Sequence, residues 1–238
     1  MNIALFGYGK MGKAIEQIAI SQGHTIGLIV DTHNRASLDM EMLRKQDVAI
    51  EFSTPESAVD NILTCFEAGI PVVCGTTGWL DKIAEIKKAV EEKNAGFLYA
   101  SNFSVGVNIF FAINKQLAKL MAAQPAYHPS ILEIHHTAKK DAPSGTAITL
   151  AEQVIEAGGN VHSWVNAAST DPSTISIISE RTDPAPGTHH VKYSSPVDDI
   201  EIIHTAHSRE GFASGAVLAA TFLAGKKGLF SMSDVLGL

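Results

Sequence analysis

Short apolar runs alternate with helical patterns through the first hundred residues, and this alternation restricts the fold more than any other feature. Ile3-Ala4-Leu5-Phe6 reads as a buried strand. Met11 to Ile20 follows with apolar residues at 11, 14, 15, 18 and 19, close to the helical period. Thr25 to Val30, Val48 to Phe52, Pro71 to Cys74 and Gly96 to Ala100 read as four more strands, with helical stretches around 55–68 and 79–92. Strands separated by helices need crossover connections, so the pattern predicts an α/β domain with a parallel sheet.

The first strand runs into Gly7-Tyr8-Gly9-Lys10-Met11-Gly12, which fits G-x-G-x-x-G. The hexapeptide alone is weak evidence; between a strand and a helix it gains a mechanism. Gly7 allows the tight turn, Gly9 lets the backbone approach a pyrophosphate, and Gly12 permits close helix–strand packing. Amides at the start of the helix then face the anion. Asp31 closes the second strand, placed to accept hydrogen bonds from the adenosine ribose. Its charge repels a 2′-phosphate and argues for NADH, whereas His33 and Arg35 just beyond it could hold that phosphate, so the expectation is use of NADH or NADPH. Phe52-Ser53-Thr54-Pro55 and Gly75-Thr76-Thr77-Gly78-Trp79 sit at further strand ends, where an open parallel sheet places its ligands.

The rhythm changes after about residue 104. A helix from Val107 to Ala122 leads to a strand from Ser130 to His136. Ser144 to Ala157 then reads as a helix capped by Ser144, with Ile148, Ala151, Val154 and Ile155 on one face and Gly158-Gly159 ending it. Residues 160–206 read as strands and turns, including 175–178, 189–193 and 200–204, and Gly215 to Ala224 as a last helix. This segregation predicts a smaller α+β domain.

Composition sets limits on partners. Among 238 residues, 18 basic side chains against 25 acidic ones give a formal charge of −7, which disfavours a general nucleic-acid binder. No apolar run is long enough to span a membrane. Met1 to Gly7 lacks a basic region before a longer apolar stretch, so no secretory signal is expected. With only Cys65 and Cys74, a disulfide framework is not expected, and a reducing cytoplasm is the simplest compartment.

Residues 133–147 carry the chemistry: Glu-Ile-His-His-Thr-Ala-Lys-Lys-Asp-Ala-Pro-Ser-Gly-Thr-Ala. His135 and His136 end a strand, where neighbouring side chains point to opposite faces, so one of them is expected to enter a site directly. Lys139 and Lys140 raise the local potential, and the Gly145 and Thr146 amides lie in the first helical turn with unpaired donors. The combination suits a carboxylate. His189-His190 and His204-x-x-His207 raise the question of a metal. On a strand, however, positions i and i+3 face opposite ways and no Cys or carboxylate cluster completes a shell, so no metal is expected.

The stretch Glu133-x-His135-His136-x-x-Lys139-x-Asp141-Ala142-Pro143-Ser144-Gly145-Thr146 resembles the signature of the 4-hydroxy-tetrahydrodipicolinate reductase (dihydrodipicolinate reductase) family. Ala100 to Asn108 resembles its interdomain segment, Gly75-Thr76-Thr77-Gly78 its nicotinamide loop, and His204-Thr205-Ala206-x-x-Arg209-x-x-Phe212-Ala213 its C-terminal return. The resemblance covers nearly the whole chain. It implies a Rossmann-type domain of residues 1–104 and 209–238, and a substrate-binding and tetramerisation domain of 105–208. It implies His135 and Lys139 as catalytic residues, with Lys139 the proton donor. It implies His136, Ser144, Gly145 and Thr146 as the substrate site. It implies Gly7, Tyr8, Gly9, Lys10, Met11, Gly12, Asp31, Phe52, Gly75, Thr76, Thr77, Ala100, Ser101, Asn102, Phe103 and Arg209 around NADH or NADPH. The implied substrate is a cyclic dicarboxylate of lysine and diaminopimelate biosynthesis, reduced by a cytoplasmic homotetramer.

Two departures stand out. Thr137 and Ala138 occupy positions that are basic in many members, and Thr32 stands where some carry Arg, which weakens the case for a strong NADPH preference. Two other readings compete: another Rossmann amino-acid dehydrogenase, and a non-catalytic dinucleotide-binding redox sensor. The residues from Lys139 to Thr146 speak against the first, and the retained proton donor against the second.

Overall fold

The computed structural model describes residues 1–208 and 210–238. In chain order the elements are β1 (Asn2–Phe6), α1 (Lys10–Ser21), β2 (Thr25–Val30), α2 (Met40–Leu43), β3 (Val48–Glu51), α3 (Pro55–Glu67), β4 (Val72–Cys74), α4 (Ile83–Lys93), β5 (Gly96–Tyr99) and α5 (Val105–Met121). They continue with β6 (His128–His135), α6 (Gly145–Glu156), β7 (Ser163–Val165), β8 (Thr174–Arg181), β9 (Gly187–Ser194), β10 (Asp199–Ala206), α7 (Glu210–Leu223), β11 (Gly228–Phe230) and α8 (Met232–Leu236). The chain forms two compact units, Met1–Asn108 with Glu210–Leu238, and Ile109–Arg209.

The first unit holds a six-stranded sheet in the order β11-β5-β4-β3-β1-β2, all parallel. Its inner strands β1, β3, β4 and β5 are short and buried on both faces, hence the continuous apolar runs rather than an alternation. One side packs on α3 and α4 through Ile62, Phe66, Ile86 and Trp79. The other packs on α1 and α7 through Ile15, Ala19, Ala216 and Ala220. The expected five strands are present, but a sixth, β11, pairs with β5, and α8 follows it. Three residues between Gly225 and Ser231 carry no periodicity, so nothing local marks them as a strand; the exposed edge of β5 recruits them. The helix expected at Gly215 to Ala224 is α7, which starts earlier because its apolar face extends back to Ala213, and it is followed by α8 rather than being the last helix.

Strand order turns back between β1 and β3, and this places the ends of both strands beside one crevice. Phe6, Glu51, Cys74 and Tyr99 form one paired row across β1, β3, β4 and β5. Gly7, Phe52, Gly75 and Ala100, the first residues past the strands, therefore emerge level with one another.

The second unit is a mixed five-stranded sheet in the order β10-β9-β6-β8-β7, with α6 on one face. Ala147, Leu150, Ala151 and Val154 of α6 meet Ile131, Ile175, Ile177 and Val191 of the sheet. β6 alternates strictly, burying Ile131, Glu133 and His135 on the helix side. It pairs antiparallel to β9 and parallel to β8, with Glu133 opposite both His189 and Ser179, and His135 opposite Arg181. Period-two alternation thus brings Glu133, His135, His189 and Arg181 to one end of one face. No helix among the described residues is long and apolar enough to cross a membrane.

Candidate functional site

In the first unit a cavity of about 390 Å³ opens at the turn of the strand order, lined by Gly7, Tyr8, Gly9, Asp31, Phe52 and Ser53 among others. Gly7 has φ +91°, and a Cβ there would lie 2.1 Å from the Phe52 carbonyl oxygen. Only glycine meets both constraints. A Cβ on Gly12 would lie 2.2 Å from the Gly7 carbonyl oxygen, so its absence lets α1 close on the turn. Gly9 differs: nothing lies within 4 Å of where its Cβ would be, which leaves open space at the start of α1. With no acidic residue in its first turn, the positive end of α1 is uncompensated by side chains. An anion of pyrophosphate size fits that space and those donors. Lys10 is exposed and Met11 half-buried in the same turn.

Asp31 lies one residue past β2. Its Oδ1 accepts the N–H groups of His33 (2.8 Å) and Asn34 (3.3 Å), which fixes the carboxylate at the cavity wall. Arg35 reaches the same wall but is engaged elsewhere. Its Nε donates to Asn61 Oδ1 at 2.8 Å, and its Nη2 donates to Asp60 at 2.5 Å and to Thr64 Oγ1 at 2.8 Å. Asn61 Nδ2 in turn donates to Ser53 Oγ at 3.2 Å and to the fully buried Glu51 at 3.3 Å. This polar network beneath the loops is absent from the sequence reading, since a lone Glu and a lone Asn ten residues apart carry no pattern.

The loops after β3 and β4 are tied together: the Ser53 N–H donates to Thr76 Oγ1 at 2.8 Å, and the Trp79 indole N–H donates to the Thr76 carbonyl at 2.7 Å. Thr76 is buried and works inside the protein, while Thr77 is exposed beside it. Gly75 is required by packing. A Cβ there would lie 2.1 Å from the Phe52 ring, so this glycine makes room for Phe52. Ala100 donates its N–H to the Cys74 carbonyl at 3.3 Å, and Phe103 packs on Phe52 with ring centres 5.5 Å apart. Asn102 accepts the Ser104 N–H at 2.9 Å, which shapes the turn into α5, with Ser101 exposed before it. Arg209 lies outside the described residues.

In the second unit a polar cluster centres on Glu133, which is fully buried. Its Oε1 accepts the Ser144 N–H at 3.1 Å and an Arg181 Nη2 hydrogen at 2.9 Å. Its Oε2 lies 2.5 Å from His135 Nδ1, an ion-pair distance that is out of line with a ring N–H. Burial pushes the Glu133 carboxyl up, but the close contact with His135 and the interactions with Ser179, Arg181 and Ser144 outweigh it and hold the group well below the usual carboxylate range. His189 stacks edge-on to His135 with ring centres 5.1 Å apart, and its Nε2 lies 3.2 Å from Ser144 Oγ. Burial, with His135 beside it, lowers the His189 pKa to about 3, so the ring is neutral at physiological pH.

Ser144 caps α6 through Oγ and the Ala147 N–H, as expected. Its own N–H and hydroxyl are both engaged and it is 2% exposed, so it supports the helix start from beneath. Gly145 is exposed and Thr146 half-buried; as first-turn residues their amides have no intrahelical acceptor. Lys139 places Nζ 2.6 Å from Asp141, an ion pair that holds the Asp141 pKa down. His135 turns inward to Glu133, and His136, half-buried, lies one residue past β6.

Glu133, His135 and His189 bring one ligand-type atom each within 4.8 Å, a convergence that the separate histidine pairs in the sequence do not reveal. The 2.5 Å separation of Oε2 and Nδ1 is shorter than the roughly 3.3 Å between two ligands on a tetrahedral zinc with bonds of about 2.0 Å. Arg181 already supplies the cation. The cluster is built as an ion-pair network. The sequence singles out His135 and Ser144, and raises His189 only as a metal candidate that it then sets aside; Arg181 carries no signal in it. Only the β6 register, forty and more residues away in the chain, brings Arg181 and His189 in.

Residues 1–103 match the family model described as Dihydrodipicolinate reductase, N-terminus, and residues 106–236 the one described as Dihydrodipicolinate reductase, C-terminus. A 4-hydroxy-tetrahydrodipicolinate reductase of Christiangramia forsetii is 49% identical over 99% of this chain and 98% of its own length. That of Ralstonia nicotianae is 40% identical over 91% and 82%. Among solved structures, the dipicolinate-bound dihydrodipicolinate reductase of Paenisporosarcina sp. TG-14 superposes with a TM-score of 0.78 at 22% identity, covering 97% of both chains. A scyllo-inositol dehydrogenase from Lactobacillus casei shares the fold at a TM-score of 0.57 and 12% identity, over 99% of this chain and 92% of its own.

Proposed function

The chain belongs to the dihydrodipicolinate reductase family, and from that premise we propose which of its residues perform each part of the reaction. The enzyme is an oxidoreductase that reduces 4-hydroxy-tetrahydrodipicolinate to tetrahydrodipicolinate with NADH or NADPH, in lysine and diaminopimelate biosynthesis. The reduced nicotinamide supplies the hydride when bound.

In the first unit, Gly7 to Gly12 hold the pyrophosphate at the start of α1, and Asp31 takes the adenosine ribose. The carboxylate on the cavity wall and the engagement of Arg35 with Asp60 favour NADH over NADPH. Phe52, Gly75 to Thr77 and Ala100 to Phe103 form the remaining walls, with Thr76 and Gly75 acting through the packing of Phe52 and Ser53.

In the second unit, the Gly145 and Thr146 amides receive one substrate carboxylate, with His136 and the Lys139 ammonium adding charge. Loss of the 4-hydroxyl as water gives a conjugated imine; hydride addition to it leaves electron density that needs an acid, and Lys139 donates that proton while its charge stabilises the electron-rich product. Asp141 holds the Lys139 amine in place through both carboxylate oxygens until substrate arrives. His135, held by Glu133, tunes and replenishes that proton. The observation that carries the reading is the start of α6: the first-turn amides of Gly145 and Thr146 on a turn fixed by a buried carboxylate, with Lys139 paired to Asp141 in the segment that leads into it.

We also propose a homotetramer located in the cytoplasm. The sheet face of the second unit away from α6 exposes Val165, Ile178 and Ile203, a pattern typical of a surface that a partner covers. Light scattering at working concentration tests the assembly. The activity is tested by following NADH and NADPH oxidation in parallel, with freshly generated product of the preceding synthase. Dinucleotide binding without turnover would favour the redox-sensor alternative.

A further inference from the structure

The turn that presents Lys139 and the start of α6 has no secondary structure of its own between His135 and Gly145, yet its placement has to be accurate for both. Three polar attachments hold it. Thr137 donates its N–H (3.1 Å) and its hydroxyl (2.6 Å) to Asp183. At the other end the Asp141 carbonyl and the Ser144 N–H are fastened to a single assembly. Arg181 Nη2 donates to the Asp141 carbonyl at 2.7 Å and to Glu133 Oε1 at 2.9 Å, and the same Oε1 accepts the Ser144 N–H at 3.1 Å. Arg181 Nη1 is occupied by its neighbour's carbonyl, the Glu180 oxygen at 2.7 Å, which sets the plane of the guanidinium.

We propose that Glu133 and Arg181 are a positioning pair for the reductase reaction: they clamp both ends of the Asp141–Ser144 segment and so aim the α6 amides and Lys139 at the substrate. The inference rests on the substrate-site reading above. Neither residue needs to touch the substrate. A guanidinium is required because Nη2 must serve two acceptors in a fixed plane, which an ammonium on a flexible stem does not reproduce. A fully buried carboxylate is required because it takes a backbone N–H and the guanidinium through one oxygen.

The test uses Arg181→Ala and Arg181→Lys in the full enzyme, with dipicolinate as a planar dianionic probe, steady-state kinetics, and NADH affinity as a control for the first unit. The clamp predicts that Arg181→Ala raises KM and the dipicolinate Kd at least about tenfold while NADH affinity is unchanged. Guanidinium at tens of millimolar lowers KM again, and Arg181→Lys recovers less than half of the loss. A merely structural role lowers the active fraction without moving KM, and guanidinium then changes nothing; that result overturns the clamp. So does wild-type KM and Kd in Arg181→Ala. If Arg181→Ala does not fold, Arg181→Lys decides alone, and a wild-type KM in it overturns the proposal. If wild-type enzyme turns over but dipicolinate fails to bind it, the substrate-site reading fails and the clamp falls with it.

Discussion

Acid should weaken the second unit through His189 in particular. The ring is 4% exposed, and burial, followed by the charge of His135, takes its pKa from the ordinary 6.5 to about 3. Between those values the unfolded chain takes up a proton that the folded one refuses, so stability falls as pH falls, and above 6.5 the group contributes no pH dependence. For one such group, going from about pH 7 to about pH 5 costs about 2 kcal/mol. Glu133 acts lower down: its depressed pKa stabilises the fold above about pH 4.5 and that contribution is lost only below it, so the two windows separate. His189→Gln keeps a neutral acceptor for the Ser144 hydroxyl and removes the titration. The assay is urea unfolding at fixed protein concentration in a Trp79→Phe background, where the half-buried Trp164 of the second unit reports alone. The difference in unfolding free energy between wild type and His189→Gln should shrink by about 2 kcal/mol from pH 7 to pH 5. A difference independent of pH would refute a neutral buried His189.

Lys139→Ala should lower kcat by at least about 10²-fold, the scale of a lost general acid, with NADH affinity unchanged; an unaltered kcat removes Lys139 from proton donation. Gly75→Ala drives a methyl into the Phe52 ring and should destabilise the first unit by about 1–3 kcal/mol, read by Trp79 fluorescence on heating, with weaker NADH binding alongside. Asp31→Ser removes the repulsion of a 2′-phosphate and should raise the ratio of NADPH to NADH in kcat/KM about tenfold, measured in parallel assays.

The first unit was almost fully legible in the sequence, because parallel strands buried on both faces leave unbroken apolar runs and the glycine turn has only one backbone solution. β11 escaped because three residues on an edge strand need only a neighbour, not a pattern. In the second unit the α6 start was legible from Ser144, Gly145 and Gly158, since capping is local chemistry. What surrounds it was not: Arg181 and His189 reach Glu133 through the register of β8 and β9, and register is a property of the folded sheet. The same gap hides the packing of Gly75 against Phe52 and the hydrogen bond from the Ser53 N–H to Thr76, because both partners come from the loop after another strand.

The central claim is that a dianionic ring docks on the start of α6. Crystals of the enzyme grown with NADH and dipicolinate test it directly. The account predicts one carboxylate within hydrogen-bonding distance of the Gly145 and Thr146 amides and Lys139 Nζ drawn from Asp141 toward the ring. A ring bound elsewhere, with those amides facing only water, would contradict it.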